Sequence, residues 1–288
     1  MPVGYPAEQV LGAYLVLAGI STVVIRPPAW GVLSAGLFIG AIALILASRI
    51  PPPRDAFGAG LRAVAPLALY TVLYPLTGTI SRGLPVWILD GPLEQLEAAV
   101  FGGQPSMYLA DLAPWRTLSE LLHACYFSYY VLVPTLPVVL AIQGHPRVAA
   151  QVVGALSGCF GLCLLCYIWM PVTSPLYLYP PLTLPLSDGF FYRLTHLFAS
   201  RGGVIGGAFP SSHAALSVLN LALAFRLSKG VFWATLLPTM GLLVATVYGR
   251  YHFALDTVVG GLLGLAFASW ASRYIGVSRA HEPEKATC

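Results

Sequence analysis

Two short polar strings interrupt the apolar sequence in the last third of the chain. The first reads Phe-Pro-Ser-Ser-His over residues 209–213, and the second reads Tyr-Gly-Arg-Tyr-His-Phe-Ala-Leu-Asp over residues 248–256. His252 and Asp256 are four residues apart, so on a helix they share a face and Asp256 can accept the ring N–H of His252. That contact fixes the tautomer and makes the other ring nitrogen the more nucleophilic one.

The neighbouring residues supply the other parts of a phosphoryl-transfer site. A proline before Ser211 and Ser212 predicts a helix start with free backbone N–H groups and hydroxyls, which together bind anions. Arg201 and Arg250 are predicted to add forked donors for the non-bridging phosphate oxygens. His213 remains as the acid that protonates the leaving oxygen. The set predicts transfer through a covalent phosphohistidine, with no metal and no cofactor.

The composition predicts that these residues are held in a membrane. Of 288 residues, 57% are hydrophobic and 9% are charged, against roughly 25% charged in soluble domains, and the mean hydropathy is +0.77. The 15 Lys and Arg against 11 Asp and Glu are too sparse for a nucleic-acid surface. The five cysteines lie in apolar runs or at the chain end, which excludes a disulfide scaffold. We therefore expect an all-α polytopic membrane helix bundle forming one structural domain.

Eight stretches are long and apolar enough to be transmembrane helices. They cover residues 8–25, 30–48, 61–79, 117–141, 147–171, 209–228, 231–250 and 254–274. The sixth and seventh are antiparallel neighbours joined by a basic turn, and at about 1.5 Å per residue each covers close to 30 Å. His213 and His252 are therefore expected at similar depth on adjacent helices.

The basic residues predict the orientation. An even number of spans puts both ends on one side, where nine Lys and Arg fall, against six on the other side. By the positive-inside rule both termini are cytoplasmic and the two histidines face the outer or lumenal side. The first span is expected to stay as an anchor, because no basic residue precedes Arg26.

Residues 80–116 form an outer segment with a predicted amphipathic helix. Asp-Gly-Pro at residues 90–92 is typical of a helix cap followed by proline. Glu94 and Glu97 fall on faces other than that of the apolar Leu93, Leu96 and Val100. We therefore expect a helix lying on the membrane interface, with residues 87–88 just before it.

The rest of the chain divides around this segment. Residues 1–79 are expected to hold the N-terminal transmembrane helices, residues 117–274 the catalytic bundle, and residues 275–288 a cytoplasmic tail. A second outer segment, residues 171–208, opens with five prolines among tyrosines, which predicts a rigid aromatic cap rather than a span.

Three further residues are candidates for headgroup or acceptor binding. Glu120 and His123 lie three apart at the outer start of the fourth span and precede several tyrosines, and Tyr248 opens the second string. A hydroxyl acceptor needs polar anchors opposite a phosphohistidine. A helix-packing network with an interfacial tyrosine belt is the alternative. The Gly-rich residues 260–264 are expected to allow close helix packing.

The two strings resemble the second and third motifs of the type-2 phosphatidic acid phosphatase superfamily of membrane lipid phosphatases and phosphotransferases. The Pro-Ser-x-His motif matches residues 210–213, and the histidine four residues before an aspartate matches His252 and Asp256. The resemblance implies His252 as nucleophile, Asp256 as its orienting partner and His213 as general acid.

The resemblance covers residues 80–274, but this sequence lacks two features of the phosphatase branch of the superfamily. The first motif, Lys, six residues and Arg-Pro, does not precede Pro210, and Thr246 stands where the third motif has an arginine. The pattern from His252 to Gly260 is similar to that of the inositol phosphorylceramide synthase and sphingomyelin synthase branch. This similarity implies transfer from a phospholipid donor to a lipid or polyol hydroxyl.

Two alternatives stay open. With water as the acceptor, the protein would be a metal-independent phosphatase of phosphatidate or polyprenyl pyrophosphate. A lipid transporter or scramblase would carry charges spread at mid-depth over several spans, whereas the polar groups here gather at one rim. In each case the expected partners are membrane lipids, and nucleic acid is not among them.

Overall fold

The computed structural model describes residues 6–84 and 89–275, and every regular element in these residues is helical. A single isolated parallel bridge joins Val172 to Gly207. The predicted all-α class is confirmed. Trp87 and Ile88, which precede the predicted interfacial helix, and tail residues 276–288, including Cys288, lie outside the described residues.

The helices follow one another with short connections. A 3-10 turn at Ala65–Leu69 links α3 to α4. In chain order the helices are α1 (Pro6–Ile25), α2 (Trp30–Ala47), α3 (Ala56–Val64), α4 (Tyr70–Ser81), α5 (Asp90–Phe101), α6 (Pro105–Leu112), α7 (Arg116–Phe127), α8 (Tyr129–Ile142), α9 (Pro146–Trp169), α10 (Pro175–Leu178), α11 (Phe190–Gly202), α12 (Ser212–Leu227), α13 (Lys229–Tyr248) and α14 (Ala254–Ala271).

Six helical segments of the described chain are long and apolar enough to cross a membrane, as expected of a multi-pass membrane protein. They are α1, α2, the stretch Ala56–Ser81, α9, α13 and α14. Helices α7 and α8 pass the same test only as a pair bent by 44°. The predicted count of eight is not confirmed, because α12 begins at Ser212 and has only 16 residues, about 24 Å.

Helix α9 is the centre of the bundle. It packs against α1, α4, α8 and α12, and the side chains of Cys159, Cys163 and Tyr167 on it are fully buried. Cys125, Cys159, Cys163 and Cys166 are free thiols, as expected for packing residues. This helix therefore provides a rigid wall against which α12 is placed.

Close packing of α12 against α14 depends on two glycines. A Cβ added at Gly260 would run into the carbonyl oxygen of Ser211, and one at Gly264 into that of Ala215. The predicted role in close helix packing is thus confirmed for Gly260 and Gly264. At Gly261 the nearest atom would be Val218 Cγ2 at 3.9 Å, so this glycine is not needed for the approach.

The outer helix α5 forms, but its faces are oriented differently from the prediction. Glu97 is fully buried, whereas Leu96 and Val100 are 54% and 58% exposed. Asp90 does not cap the helix but begins it, and its Oδ1 accepts the N–H of Thr173 at 2.7 Å. The carboxylates and the partly buried Leu93 therefore face the protein, whereas Leu96 and Val100 face outward.

Residues 171–208 fold over the same end of the bundle. They contain the short helix α10 and the longer helix α11. The segment does not span the membrane end to end, as predicted, but it contains more helix than the predicted rigid cap. Leu182 and Leu186 are buried against Leu122 and Ala245. The segment thereby covers the ends of α7 and α13, where the second polar string begins.

Gly264→Ala is expected to lower the free energy of unfolding by about 1–3 kcal/mol, since the new methyl group would push α12 away from α14. Thermal unfolding of the detergent-purified protein measures this loss. Gly261→Ala is the matched control and is expected to leave the midpoint unchanged. Equal midpoints for the two variants would contradict the proposed close contact.

Candidate active site

His252 lies in the tight turn between α13 and α14. Arg250 adopts a left-handed conformation with φ of 62°, and the N–H of His252 donates to the carbonyl of Thr246 at 2.9 Å. Helix α14 begins only at Ala254, so His252 precedes the helix instead of sharing its face with Asp256 as predicted. Both residues are nevertheless buried, and His252 Nδ1 lies 3.5 Å from Asp256 Oδ2.

The Nδ1 atom of His252 faces two acceptor groups. It hydrogen-bonds to the carbonyl oxygen of Ala208 at 3.0 Å, and Asp256 Oδ2 makes a longer ion-pair contact with the same nitrogen at 3.5 Å. Asp256 Oδ2 also accepts the N–H of Phe253 at 2.9 Å, which fixes the carboxylate at the start of α14. Because both acceptors require a proton on Nδ1, we assign Nε2 as the nitrogen with a free lone pair.

His213 stands opposite, in the first turn of α12. Its ring centroid is 5.6 Å from that of His252. Tyr126 stacks on the His213 ring at 4.7 Å, and Tyr129 lies 4.3 Å away. His213 Nδ1 is buried and has no hydrogen-bond partner among the described residues. The structure thus brings the two predicted histidines together and leaves one nitrogen of His213 unengaged.

The two serines differ from the expected anion site. The N–H of Ser211 donates to the carbonyl of Asp256 at 3.0 Å, and the N–H of Ser212 donates to the Tyr167 hydroxyl at 3.1 Å. The prediction that these N–H groups are free is therefore wrong. Ser211 Oγ accepts the N–H of Ala214 at 3.3 Å as the helix cap. Phosphate binding by Ser211 and Ser212 stays a prediction, for which the Ser212 hydroxyl is the better placed group.

The two predicted phosphate-binding arginines lie in different places. Arg250 is buried, and its Nε and Nη1 donate to the carbonyls of Ser106, at 3.2 Å, and Pro180. Arg201 is exposed at the end of α11 and shares a groove of about 700 Å³ with Arg82. Neither Arg82 nor Arg201 makes a hydrogen bond or an ion pair within the described part of the chain. Neither His213 nor His252 lines this groove.

The three headgroup candidates all have protein partners. Glu120 accepts the N–H groups of Phe191 and Tyr192, both at 3.1 Å, at the start of α11. Tyr248 donates its hydroxyl to the carbonyl of Ala113 at 3.0 Å. These contacts favour the packing alternative for Glu120 and Tyr248.

His123 keeps one nitrogen unengaged. Its Nδ1 lies 2.6 Å from the carbonyl of Ser119, and its buried Nε2 has no partner in residues 6–84 and 89–275. The His123 ring centroid is 5.8 Å from that of Tyr251, which in turn stacks on Tyr126. A continuous aromatic contact therefore leads from His123 to His213. Burial raises the pKa of the Tyr251 hydroxyl, so this phenol stays neutral near physiological pH.

The sequence analysis did not predict two contacts that hold the ends of α12 and α14 in place. The Tyr167 hydroxyl donates to the carbonyl of Pro210 at 2.8 Å, and the Glu97 carboxylate accepts N–H groups from the first turn of α14. Burial raises the pKa of Glu97, while these N–H groups oppose that shift. Local patterning gives no signal for either contact, because each pairs residues from distant parts of the chain.

The described residues hold no group of three or more His, Cys, Asp and Glu side chains that could bind a metal ion. The histidines and carboxylates of the site instead meet in pairs or bond to backbone groups. A reaction without a metal ion stays a prediction from the sequence.

Glu120→Ala is expected to loosen the start of α11, because two backbone N–H groups lose their acceptor, at a cost of about 1–3 kcal/mol. Hydrogen exchange measured by mass spectrometry should show faster exchange in residues 189–202. Asp111→Ala, which removes an exposed carboxylate from α6, is the control. Identical exchange in the two variants would refute the capping role.

The comparisons with known proteins agree with this geometry at the level of a family. A family model described as the PAP2 superfamily matches residues 93–271, which is more than half of the chain and includes both polar strings. No curated protein and no solved structure matches the chain significantly. With both histidines and Asp256 inside the matched region, the chain belongs to the PAP2 superfamily.

Proposed function

We propose that this protein is a membrane lipid phosphotransferase, similar to inositol phosphorylceramide synthase, that moves a phosphate or phosphorylated headgroup from a phospholipid to a hydroxyl acceptor. Membership of the PAP2 superfamily supports an enzyme acting on phosphate esters. The observation that carries the proposal is the pairing of two histidine rings 5.6 Å apart, in which Nδ1 of His252 is bound to the carbonyl of Ala208 beside Asp256 and His213 makes no hydrogen bond within the described residues.

In the first step, Nε2 of His252 attacks the phosphorus of the donor. The N–P bond forms while the bond from phosphorus to the departing lipid oxygen breaks, and protonated His213 gives its proton to that oxygen. The ring of His252 becomes positively charged. Asp256 and the carbonyl of Ala208 stabilise this charge through the proton on Nδ1.

In the second step, neutral His213 takes the proton of the acceptor hydroxyl. The acceptor oxygen attacks phosphorus, the N–P bond breaks, and His252 returns to its neutral form with its proton still on Nδ1. His213 is then protonated again and the cycle closes. A neutral imidazole and an imidazolium alternate at this residue, so it needs a nitrogen that no protein group occupies.

The donors available to the phosphate oxygens are few. Arg250 Nη2 has no hydrogen-bond partner among the described residues, whereas Arg250 Nε and Nη1 donate to backbone carbonyls. The Ser212 side chain hydrogen-bonds to the Tyr167 hydroxyl, so it would have to exchange that partner for a phosphate oxygen. The groove with Arg82 and Arg201 offers an anionic headgroup two guanidinium groups that have no partner in residues 6–84 and 89–275. The loop that lines this groove leads directly to Ala208, which contacts His252.

A lipid substrate and an outer-facing site are part of the proposal. Both termini are then cytoplasmic, and the end of the bundle that carries the histidines lies at the headgroup level. The outward apolar face of α5, with Leu96 and Val100, supports contact with lipid at that level. Donor and acceptor would thus reach the site from the membrane.

Hydrolysis is the second candidate. The superfamily match includes no feature that separates phosphatases from transferases, and the His213 ring is only half-buried. Water could therefore replace the acceptor hydroxyl in the second step without any change in the roles of the histidines.

His252→Ala is expected to lower turnover of a phospholipid by roughly 10³-fold or more, because the nucleophile is removed. With a donor that carries ³²P in its phosphate, acid-labile label should appear on the wild-type protein and not on this variant. His145→Ala changes a histidine at the start of α9, outside the site, and is expected to keep turnover and labelling. Full activity in His252→Ala would rule out the mechanism.

Transfer and hydrolysis are distinguished by their products. With labelled phospholipid in detergent micelles, adding a ceramide-like or polyol acceptor is expected to move the label to that acceptor and to accelerate turnover, since the acceptor hydroxyl enters the second step. Release of free phosphate or phosphorylated headgroup at the same rate with and without acceptor would contradict transfer and identify a phosphatase.

A further inference from the structure

Glu97 of the outer helix α5 holds the start of α14. Its Oε1 accepts the N–H of Ala254 at 3.1 Å, and its Oε2 accepts the N–H of Leu255 at 3.0 Å. These are the first two residues of α14, whose N–H groups have no acceptor within the helix. Asp256 accepts the preceding N–H, that of Phe253. Three successive N–H groups before the catalytic aspartate are thus bound by carboxylates.

Asp90, seven residues earlier on α5, is linked to the other acceptor of His252. Its Oδ1 accepts the N–H of Thr173. The adjacent Val172 exchanges hydrogen bonds with the segment that contains Ala208: its N–H donates to Gly206 at 3.1 Å, and its carbonyl accepts the N–H of Ala208 at 3.2 Å. The carbonyl of Ala208 then accepts from His252 Nδ1.

Glu94 lies between these two residues and makes a different contact. Its Oε1 accepts the Tyr179 hydroxyl at 2.6 Å. None of its hydrogen bonds in the described chain reaches α14 or the segment of Ala208. One face of α5 therefore carries three inward carboxylates, of which the first and the third are connected to the acceptors of His252.

We propose that Asp90 and Glu97 are positioning residues that hold the two acceptors of His252 Nδ1, the carbonyl of Ala208 and the carboxylate of Asp256, in place. The inference rests on the proposed function, because it assigns the ring of His252 to the reaction. Neither residue touches substrate. Their effect is on the direction in which Nε2 points, which depends on both acceptors of the opposite nitrogen.

The carboxylate of Glu97 is suited to this role by its charge and its two oxygens. A negative charge at a helix N-terminus is stabilised by the exposed N–H groups there. Replacement by an amide would leave one oxygen and turn an NH₂ group toward a backbone N–H, so one of the two hydrogen bonds is lost. The first turn of α14, and Asp256 with it, is then free to shift relative to Ala208.

The test compares Glu97→Gln with Glu94→Gln on the full chain in detergent micelles, with wild type and His252→Ala in the same series. Glu97→Gln is expected to lower kcat by about 10- to 100-fold, as small displacements of a reacting group do, with KM for the phospholipid unchanged. Glu94→Gln is expected to keep the wild-type kcat. Asp90→Ala is expected to lower kcat in the same way as Glu97→Gln.

Rescue separates positioning from general stability. Glu97→Asp retains a carboxylate near α14 and is expected to recover part of the kcat that Glu97→Gln loses, although both variants disturb packing. Equal kcat in Glu97→Gln and Glu94→Gln, or a loss confined to KM, would overturn the inference. If Glu97→Gln does not fold, wild-type kcat in folded Asp90→Ala would overturn it too. Equal activity of wild type and His252→Ala would instead contradict the proposed function.

Discussion

The proton on His252 Nδ1 is the constraint on which the rest of the site depends. A nucleophilic imidazole must keep that proton bound to an acceptor throughout the reaction, so that only Nε2 is available to phosphorus. Here two acceptors from different parts of the chain meet at one nitrogen: the carbonyl of Ala208 and the carboxylate of Asp256. The close approach of α12 and α14 and the fold of the outer segments can be understood as ways of bringing these two acceptors together.

This arrangement requires charged groups to be buried, which is costly unless they are hydrogen-bonded. Glu97 and Asp256 are both fully buried, and each binds N–H groups at the start of α14 that would otherwise lack acceptors. Arg250 is buried on the other side of the turn and binds two carbonyls. Charged side chains and backbone groups thus bind one another around His252, although Asp256 Oδ1 has no partner among the described residues.

The parts of this structure that follow local rules could be predicted from sequence. Apolar length identifies most of the spanning helices, and the spacing of two strings places His213 beside His252. The hydrogen bonds at the start of α12 could not be predicted, because the N–H groups of Ser211 and Ser212 donate to groups on α14 and α9, which are distant in sequence. The sequence analysis also did not predict that the carboxylates of α5 face the protein. Periodicity separates polar from apolar residues, but it does not tell which set faces inward.

The orientation of α5 connects the chemistry to the membrane. Of the apolar residues predicted to form one face of α5, Leu93 packs against the protein, while Leu96 and Val100 are exposed, so the position of this helix depends largely on the hydrogen bonds of its inward carboxylates. The same helix supports the acceptors of His252. In the proposed mechanism, the position of α5 therefore affects the alignment of His252, and the exposed Leu96 and Val100 connect that position to the surrounding lipid.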